Sequence, residues 1–392
     1  MLTFLKRTWA EIALDAVEQN YRCIRERVGQ SCRVMAVVKA DAYGHGDAFV
    51  AKTLQHAGAD WFGVSNLDEA IRLRESGIEK PVLILSYTPP EEAKRLSRYG
   101  ITQTVVSAEH AHRLQRAAEQ EQLTLNVHLK LDTGMSRVGF FYHHPETDGA
   151  VLDEIDEVCA LPNLHVEGIF THFATADEED DAATRHQFAL FSRAVSELEQ
   201  RGVTFAIKHC CNSAATLRFP EMHLDMVRPG IVLYGLAPAR WMGTLAKLTP
   251  AMALKTVVSM VKPIPADTTV SYGGTYTAKT PAVVATVPIG YADGYLRSLS
   301  NTARMLVNGR SAPLVGRVCM DQCLLDVTAI PDVKEGTVVT VFGTDGDAVL
   351  PIEDVAAWSD TIHYECACLI GKRVPRIFYQ QGHMIGKQDY FE

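Results

Sequence analysis

Residues 34–65 read VMAVVKADAYGHGDAFVAKTLQHAGADWFGVS. A short apolar, β-branched run (Val34–Val38) gives way to a helix-like stretch (Ala48–Ala57), and a second apolar run (Trp61–Ser65) follows. The same unit recurs along the chain. Further apolar runs lie at Val82–Ser86, Thr102–Ser107, Leu125–Leu131, Val166–His172, Phe205–Cys210 and Met226–Tyr234, with helix-like segments between most of them (Leu67–Glu75, Ala108–Glu121, His186–Gln200). Strands that are apolar throughout and alternate with helices belong to a parallel sheet covered on both faces. Eight such units suit a closed (β/α)8 barrel of the TIM type; an open, doubly wound sheet is the alternative.

Outward from this core, Leu14, Val17, Tyr21, Ile24 and Val28 keep helical spacing and predict a helix packed on the barrel's flank. After Tyr234 the texture changes. Short runs (Leu254–Val261, Ala282–Pro288, Leu314–Cys319, Leu324–Val327, Val338–Phe342) are separated by Gly, Pro and Asp, and Asn308-Gly309 is a hairpin turn signal. One helix is expected at Ile352–Trp358. The chain therefore divides into a barrel with its N-terminal flanking segment (1–240) and a mostly β C-terminal domain (241–392).

Composition narrows the class. The 392 residues are 47% hydrophobic and 22% charged, with a formal charge of −9, and two domains are expected at that length. An acidic balance argues against nucleic acid and anionic membranes as partners. The start, Met1 to Arg7, has no long apolar run, and no segment approaches the ~20 apolar residues of a membrane span, so a cytoplasmic protein is expected. The nine scattered cysteines read as reduced, structural thiols rather than a disulfide framework. A metal site at His209-Cys210-Cys211 is a weaker option than buried thiols at a strand end.

Barrel enzymes keep their chemistry at the C-terminal ends of the strands. There this sequence places Lys39; Lys130 and Arg137; His172; Asn212-Ser213; and Arg228-Pro229-Gly230. Each alone has an ordinary structural explanation; five strand ends together point to a site. Loops after the seventh and eighth strands commonly hold phosphate on backbone N–H groups, which suits Asn212-Ser213 and Gly230-Ile231. A lysine across the mouth could form a Schiff base with a phosphate-bearing aldehyde. Neither a Gly-rich phosphate loop nor a carboxylate cluster supports a nucleotide or a divalent cation.

Seven segments in order carry a resemblance. They are Val37–Gly46 (VVKADAYGHG), Leu129–Arg137 (LKLDTGMSR), Thr171–Ala174, Val227–Gly230, Val270–Gly273 (VSYG), Pro288–Gly294 (PIGYADG) and Val318–Gln322 (VCMDQ). The chain resembles the alanine racemase family, whose cofactor is pyridoxal 5'-phosphate. The resemblance implies that Lys39 carries the cofactor and that Tyr43, Ser213, Gly230, Ile231 and Tyr364 hold its phosphate, with Asn212 beside them. It puts Arg228 against the pyridine nitrogen, and Arg137 with the backbone of Met320 at the substrate carboxylate. Tyr291 and Asp321 join the substrate site. Lys39 and Tyr272 exchange the α-proton, and His172 is the expected partner of Tyr272. Lys130 stands where relatives can carry a carbamate. A homodimer is implied, the β domain of one subunit completing the barrel mouth of the other, as is supply of D-alanine for the bacterial wall.

Racemisation removes a proton on one face and returns one on the other, so two acid–base groups are natural. Tyr364 is bulky and suits alanine better than serine, although serine or a broader range stays open. Two rivals share parts of this layout. An amino-acid decarboxylase has the same architecture, but Ser271-Tyr272-Gly273 and Cys319-Met320-Asp321 favour a racemase. A cofactor carrier needs only a barrel and has no use for Tyr272.

Overall fold

The apolar runs form parallel strands in the computed structural model, which describes residues 4–391. Met1–Thr3, part of the start read above for a leader, and Glu392 lie outside the described residues. The barrel strands are β1 (Arg33–Val37), β2 (Trp61–Val64), β3 (Val82–Ile84), β4 (Ile101–Val105), β5 (Leu125–Asp132), β6 (Leu164–Phe170), β7 (Ile207–His209) and β8 (Met226–Val227). They pair in the order β8-β1-β2-β3-β4-β5-β6-β7, every pair parallel. Asp225 N–H to the Lys208 carbonyl (3.1 Å) and Arg228 N–H to the Cys211 carbonyl (3.0 Å) bridge the seam, so the barrel is nearly closed. Met35, Trp61, Leu83, Phe170, Ile207 and Met226 fill its interior.

Helices cover the strands, and their starts show why. Asn66, Ser107 and Asn212 accept from the backbone N–H three residues on, satisfying first-turn donors that the helix leaves open. The flanking helix spans Leu14–Val28 and buries Val17, Tyr21, Ile24 and Val28 as the spacing predicts. Asn20 ties it to the barrel unit through the Thr249 and Leu233 carbonyls (2.8 and 3.3 Å). The eighth apolar run is shorter as a strand than the sequence suggests: Pro229 and Gly230 break it, and Ile231–Tyr234 winds into a 3-10 turn.

The second sheet holds a strand that the sequence reading did not name, Thr8–Ala13, paired antiparallel to Met252–Val257 and parallel to Arg376–Gln380. Its sheet runs on through Val338–Asp345 and the hairpin Arg304–Val307/Arg310–Pro313 on one side and His383–Gln388 on the other. Asn308 and Gly309 turn that hairpin with φ of 50° and 72°. A three-stranded sheet joins Met260–Ile264, Ala282–Val287 and Cys323–Asp326. Leu314–Cys319 is not a strand: only Leu314 bridges, to Leu325, and Gly316 at φ +81° turns the chain. The helix Ile352–Trp358 is present.

Val17–Ala42 and Asp47–Thr249 form one compact unit; among the described residues, 4–16, Tyr43–Gly46 and 250–391 form another. This differs from a division at 240/241 because Thr8–Ala13 is hydrogen-bonded into the C-terminal sheet. Among the described residues no helix is long and apolar enough to cross a membrane.

Candidate active site

Lys39 follows β1 and opens a left-handed turn: Ala40, Asp41, Ala42 and Tyr43 all have φ of 53–54°. Each such residue costs roughly 1–2 kcal/mol, so the surroundings must hold the turn. Within the barrel unit, Glu69 accepts from Ala40 N–H (2.9 Å) and Ser65 N–H (2.7 Å). Asp41 accepts from Asp47 N–H (3.0 Å), and Arg72 clamps Asp47 at 2.6–2.7 Å. Burial and the neighbouring Asp41 push the Asp47 carboxyl up to about 6.

Four cations share the rim with one imidazole. Burial first, then Arg228, Lys130, Arg137 and Lys39 in that order, hold His172 well below the usual imidazole range. Arg228 is buried, and Nη2 donates to His172 Nδ1 (3.2 Å), the Thr171 carbonyl (2.8 Å) and the Cys210 carbonyl (3.0 Å). An arginine only donates, so His172 accepts at Nδ1 and, being neutral, carries its proton on Nε2. Lys130 is buried with Nζ on the Leu131 carbonyl (2.9 Å), 5.5 Å over the Phe170 ring. Burial, then Arg228, pull its amine down to about 7. No carboxylate pairs with it among the described residues. Arg137 is exposed, on a loop shaped by Asp132, whose Oδ1 accepts from the N–H groups of Gly134, Met135 and Ser136 at 3.0 Å each. Asp132 stands in the Leu129–Arg137 segment quoted above, where it was given no role; an Asp closing a strand before Thr-Gly was the signal for one.

Asn212 caps the helix Ser213–Arg218. Ser213 Oγ accepts from Gly230 N–H (2.8 Å), and Ile231 opens a 3-10 turn whose first N–H groups have no partner within the turn. Ser213, Gly230 and Ile231 thus converge as phosphate-holding residues would. Arg228, permanently charged and unable to accept, suits an unprotonated ring nitrogen. On these observations the barrel unit's residues fit pyridoxal 5'-phosphate. His209 and the two thiols, by contrast, diverge: the imidazole bonds Arg228 and His128, while Cys210 and Cys211 donate to the Met222 carbonyl. A shared metal is not their arrangement.

The remaining candidates lie in the β unit. Tyr43 and Tyr364 face each other with ring centroids 6.2 Å apart. Tyr272 is 72% exposed and follows Ser271, a non-glycine residue at φ +64° whose hydroxyl donates to the Arg317 carbonyl (2.7 Å). A pinned, strained turn therefore presents the phenol. Tyr291 N–H donates to the Cys319 carbonyl and Ala292 N–H to the Met320 carbonyl (3.1 and 3.0 Å). That zipper needs Gly290, where a Cβ would lie 2.3 Å from the Cys319 carbonyl oxygen. Asp293 anchors the loop through a two-pronged pair with Arg7 (2.9 Å) and through Gly290 N–H (3.0 Å). The Asp321 carboxylate is engaged by Arg373 at 2.8 Å, which fixes the Met320 loop.

Residues 12–238 match the family model "Alanine racemase, N-terminal domain", and residues 251–378 match "Alanine racemase, C-terminal domain". The chain belongs to the alanine racemase family. It is 47% identical over 372 residues to the alanine racemase of Desulforamulus reducens, covering 94% of this chain and 98% of that one. The Desulfovibrio desulfuricans alanine racemase is 44% identical over 380 residues (97% and 100%). Among solved structures, alanine racemase of Clostridium difficile 630 superposes with a TM-score of 0.94 at 37% identity, covering all of both chains. That of Bacillus anthracis with bound L-Ala-P gives 0.92 at 37% identity (100% and 99%). The nearly closed barrel followed by a β domain is the fold of these alanine racemases.

Proposed function

We propose that the protein interconverts L- and D-alanine with pyridoxal 5'-phosphate, Lys39 and Tyr272 moving the α-proton on opposite faces. The observation that carries this reading is the cationic rim of Lys39, Lys130, Arg137 and Arg228 around a neutral His172, a place for a small molecule bearing phosphate and carboxylate. When bound, the cofactor supplies an electron-withdrawing ring that acidifies the α-proton.

The residues divide the work. Lys39 holds the cofactor, and Asn212, Ser213, Gly230, Ile231, Tyr43 and Tyr364 receive its phosphate. Arg228, which can only donate, would face the pyridine nitrogen and favour its unprotonated form. Arg137 and the Met320 amide take the substrate carboxylate, while Tyr291 and the Arg373-held Asp321 shape the loop around it. Lysine and tyrosine are poor bases at neutral pH, with reference pKa values of ~10.4 and ~10, so neighbours must activate them. His172 Nε2–H is the group offered to Tyr272. Lys130, with an amine near neutrality, is suited to react with carbon dioxide; the resulting anion would orient Arg137.

A homodimer follows from the same reading, each β domain serving the other subunit's barrel. Tyr272, Tyr291 and Met320, exposed on loops of the β unit that are hydrogen-bonded around Arg317–Met320, support it, since large apolar groups are seldom left uncovered together. The cytoplasm is its place and D-alanine for the cell wall its product.

The test is chiral product analysis of the cofactor-loaded enzyme with L-alanine, L-serine and L-lysine in parallel. D-alanine in excess over D-serine is expected. Carbon dioxide from lysine would instead indicate a decarboxylase, and a bound chromophore without any product a carrier.

A further inference from the structure

Arg228 is a buried cation whose hydrogen-bond acceptors among the described residues are all neutral: two carbonyls and the imidazoles of His172 and His209. A charge so placed is costly unless a counter-charge reaches it. One does, along a chain whose direction the arginine dictates. Arg228 Nη1 donates to His209 Nδ1 (2.9 Å), which leaves the His209 proton on Nε2. That nitrogen meets His128 Nδ1 at 2.9 Å, which must accept, leaving the His128 proton on Nε2. His128 Nε2 faces Glu167 Oε2 at 3.7 Å, an ion-pair rather than a hydrogen-bond separation, and both atoms are buried with no hydrogen-bond partner.

The backbone is shaped around this chain. Along the β5–β6 ladder Val127 pairs with Val166 but His128 with Gly168, so Glu167 is the extra residue of a bulge. A bulge re-aims a side chain that strict alternation would send to the other face. Gly168 makes room for the ring: a Cβ there would lie 2.7 Å from His128 Cε1. Phe170 stacks on His209 (4.7 Å between centroids, 8° between planes), and Trp61 lies against His128 (5.3 Å).

We infer that Glu167 is the counter-charge of Arg228, linked to it through two neutral, tautomer-locked histidines, and that it is a positioning residue for the site at the barrel mouth. Burial holds both imidazoles below the usual range, His209 further depressed by Arg228, while Glu167 opposes the fall at His128. Arg228 itself, pulled down to about 10 by burial, stays charged. The effect on the reaction rests on Arg228 facing the cofactor ring. With Glu167 anionic, the guanidinium N–H groups are weaker donors and the ring withdraws less charge. Neutralising Glu167 strengthens them, and more turnovers end with the alanine amino group left on the cofactor and pyruvate released.

The experiment is 15N NMR of histidine-labelled protein, cofactor-free and cofactor-loaded, for wild type, Glu167→Gln and Glu167→Asp. In the wild type both His128 and His209 should be neutral and protonated at Nε2, a result that needs no variant. Glu167→Gln should move the resonances of both rings, and Glu167→Asp should bring His209 back toward its wild-type position. In loaded Glu167→Gln, pyruvate per D-alanine should rise by up to about tenfold, the worth of one pKa unit in donor strength. His209 protonated at Nδ1, or unmoved by Glu167→Gln, would overturn the proposal. A responding His209 with an unchanged pyruvate ratio upholds the chain and removes Arg228 from the ring.

Discussion

Replacing Lys130 with Met should stabilise the protein at neutral pH, by an amount that fades in alkali. An unfolded lysine titrates near 10.5, whereas burial and Arg228 bring this one to about 7 in the folded chain. Between those values the unfolded state binds the extra proton, so this group's penalty grows as pH falls from 10.5 toward 7 and is constant below. At ~1.4 kcal/mol per pKa unit the full penalty is at most roughly 5 kcal/mol. Methionine keeps the stem volume and a favourable contact with an aromatic ring, and gives up one hydrogen bond to the Leu131 carbonyl worth about 1 kcal/mol. A net gain of roughly 2–4 kcal/mol corresponds to a rise in Tm on the order of 5–10 °C for a barrel of this size. Calorimetry in carbon-dioxide-free buffer at neutral and strongly alkaline pH reads it. Adding 13C-bicarbonate should then raise the wild-type Tm and yield a carbamate signal, neither of which Lys130→Met should show. A Met variant less stable than wild type at every pH, or equally stabilised in alkali, would refute the buried-ammonium argument.

Three further outcomes are expected. Gly44→Ala puts a Cβ 2.2 Å from the Ala367 carbonyl oxygen at φ +79°, and should cost on the order of 3 kcal/mol or more by chemical denaturation. Asp132→Asn weakens the acceptor of three loop N–H groups and should cost about 1–3 kcal/mol while raising KM for alanine through Arg137. Burial pushes the Asp132 carboxyl up, but Gly134 N–H, His143 and Ser136 N–H together hold it below 3.8. Its stabilisation is therefore present above 3.8 and lost as pH falls through the folded value, and the variant should be the less acid-sensitive of the two. Arg228→Glu should raise pyruvate formed per D-alanine, measured over many turnovers; an unchanged ratio would remove Arg228 from control of the ring.

The barrel was legible because its strands are apolar throughout: Val34–Val38, Trp61–Ser65 and Leu125–Leu131 lie within a residue or two of β1, β2 and β5. Thr8–Ala13 was not, since its pairing strands, Met252–Val257 and Arg376–Gln380, lie more than two hundred residues away. Leu314–Cys319 looked like a strand by composition, but Gly316 turns the backbone at φ +81°, where a Cβ would lie 2.7 Å from the Val270 carbonyl oxygen. Site residues at strand ends, such as Lys39, Lys130 and His172, could be read because architecture gives that rim meaning. His128, His209 and Glu167 could not, because their meeting depends on a one-residue bulge that no periodicity reveals. Asp321 was read into the substrate site; its pair with Arg373, 52 positions on in the chain, could not be read from the sequence.

The central claim is that Lys39 and Tyr272 serve opposite faces of one small amino acid. Its direct test is incubation of the loaded enzyme with L-alanine in deuterated water, following α-proton exchange and D-alanine together, with Tyr272→Phe alongside. Deuterated D-alanine is expected from the wild type, with a large loss of both signals in the variant. Exchange into L-alanine without D-alanine, or a Tyr272→Phe enzyme as active as wild type, would contradict it.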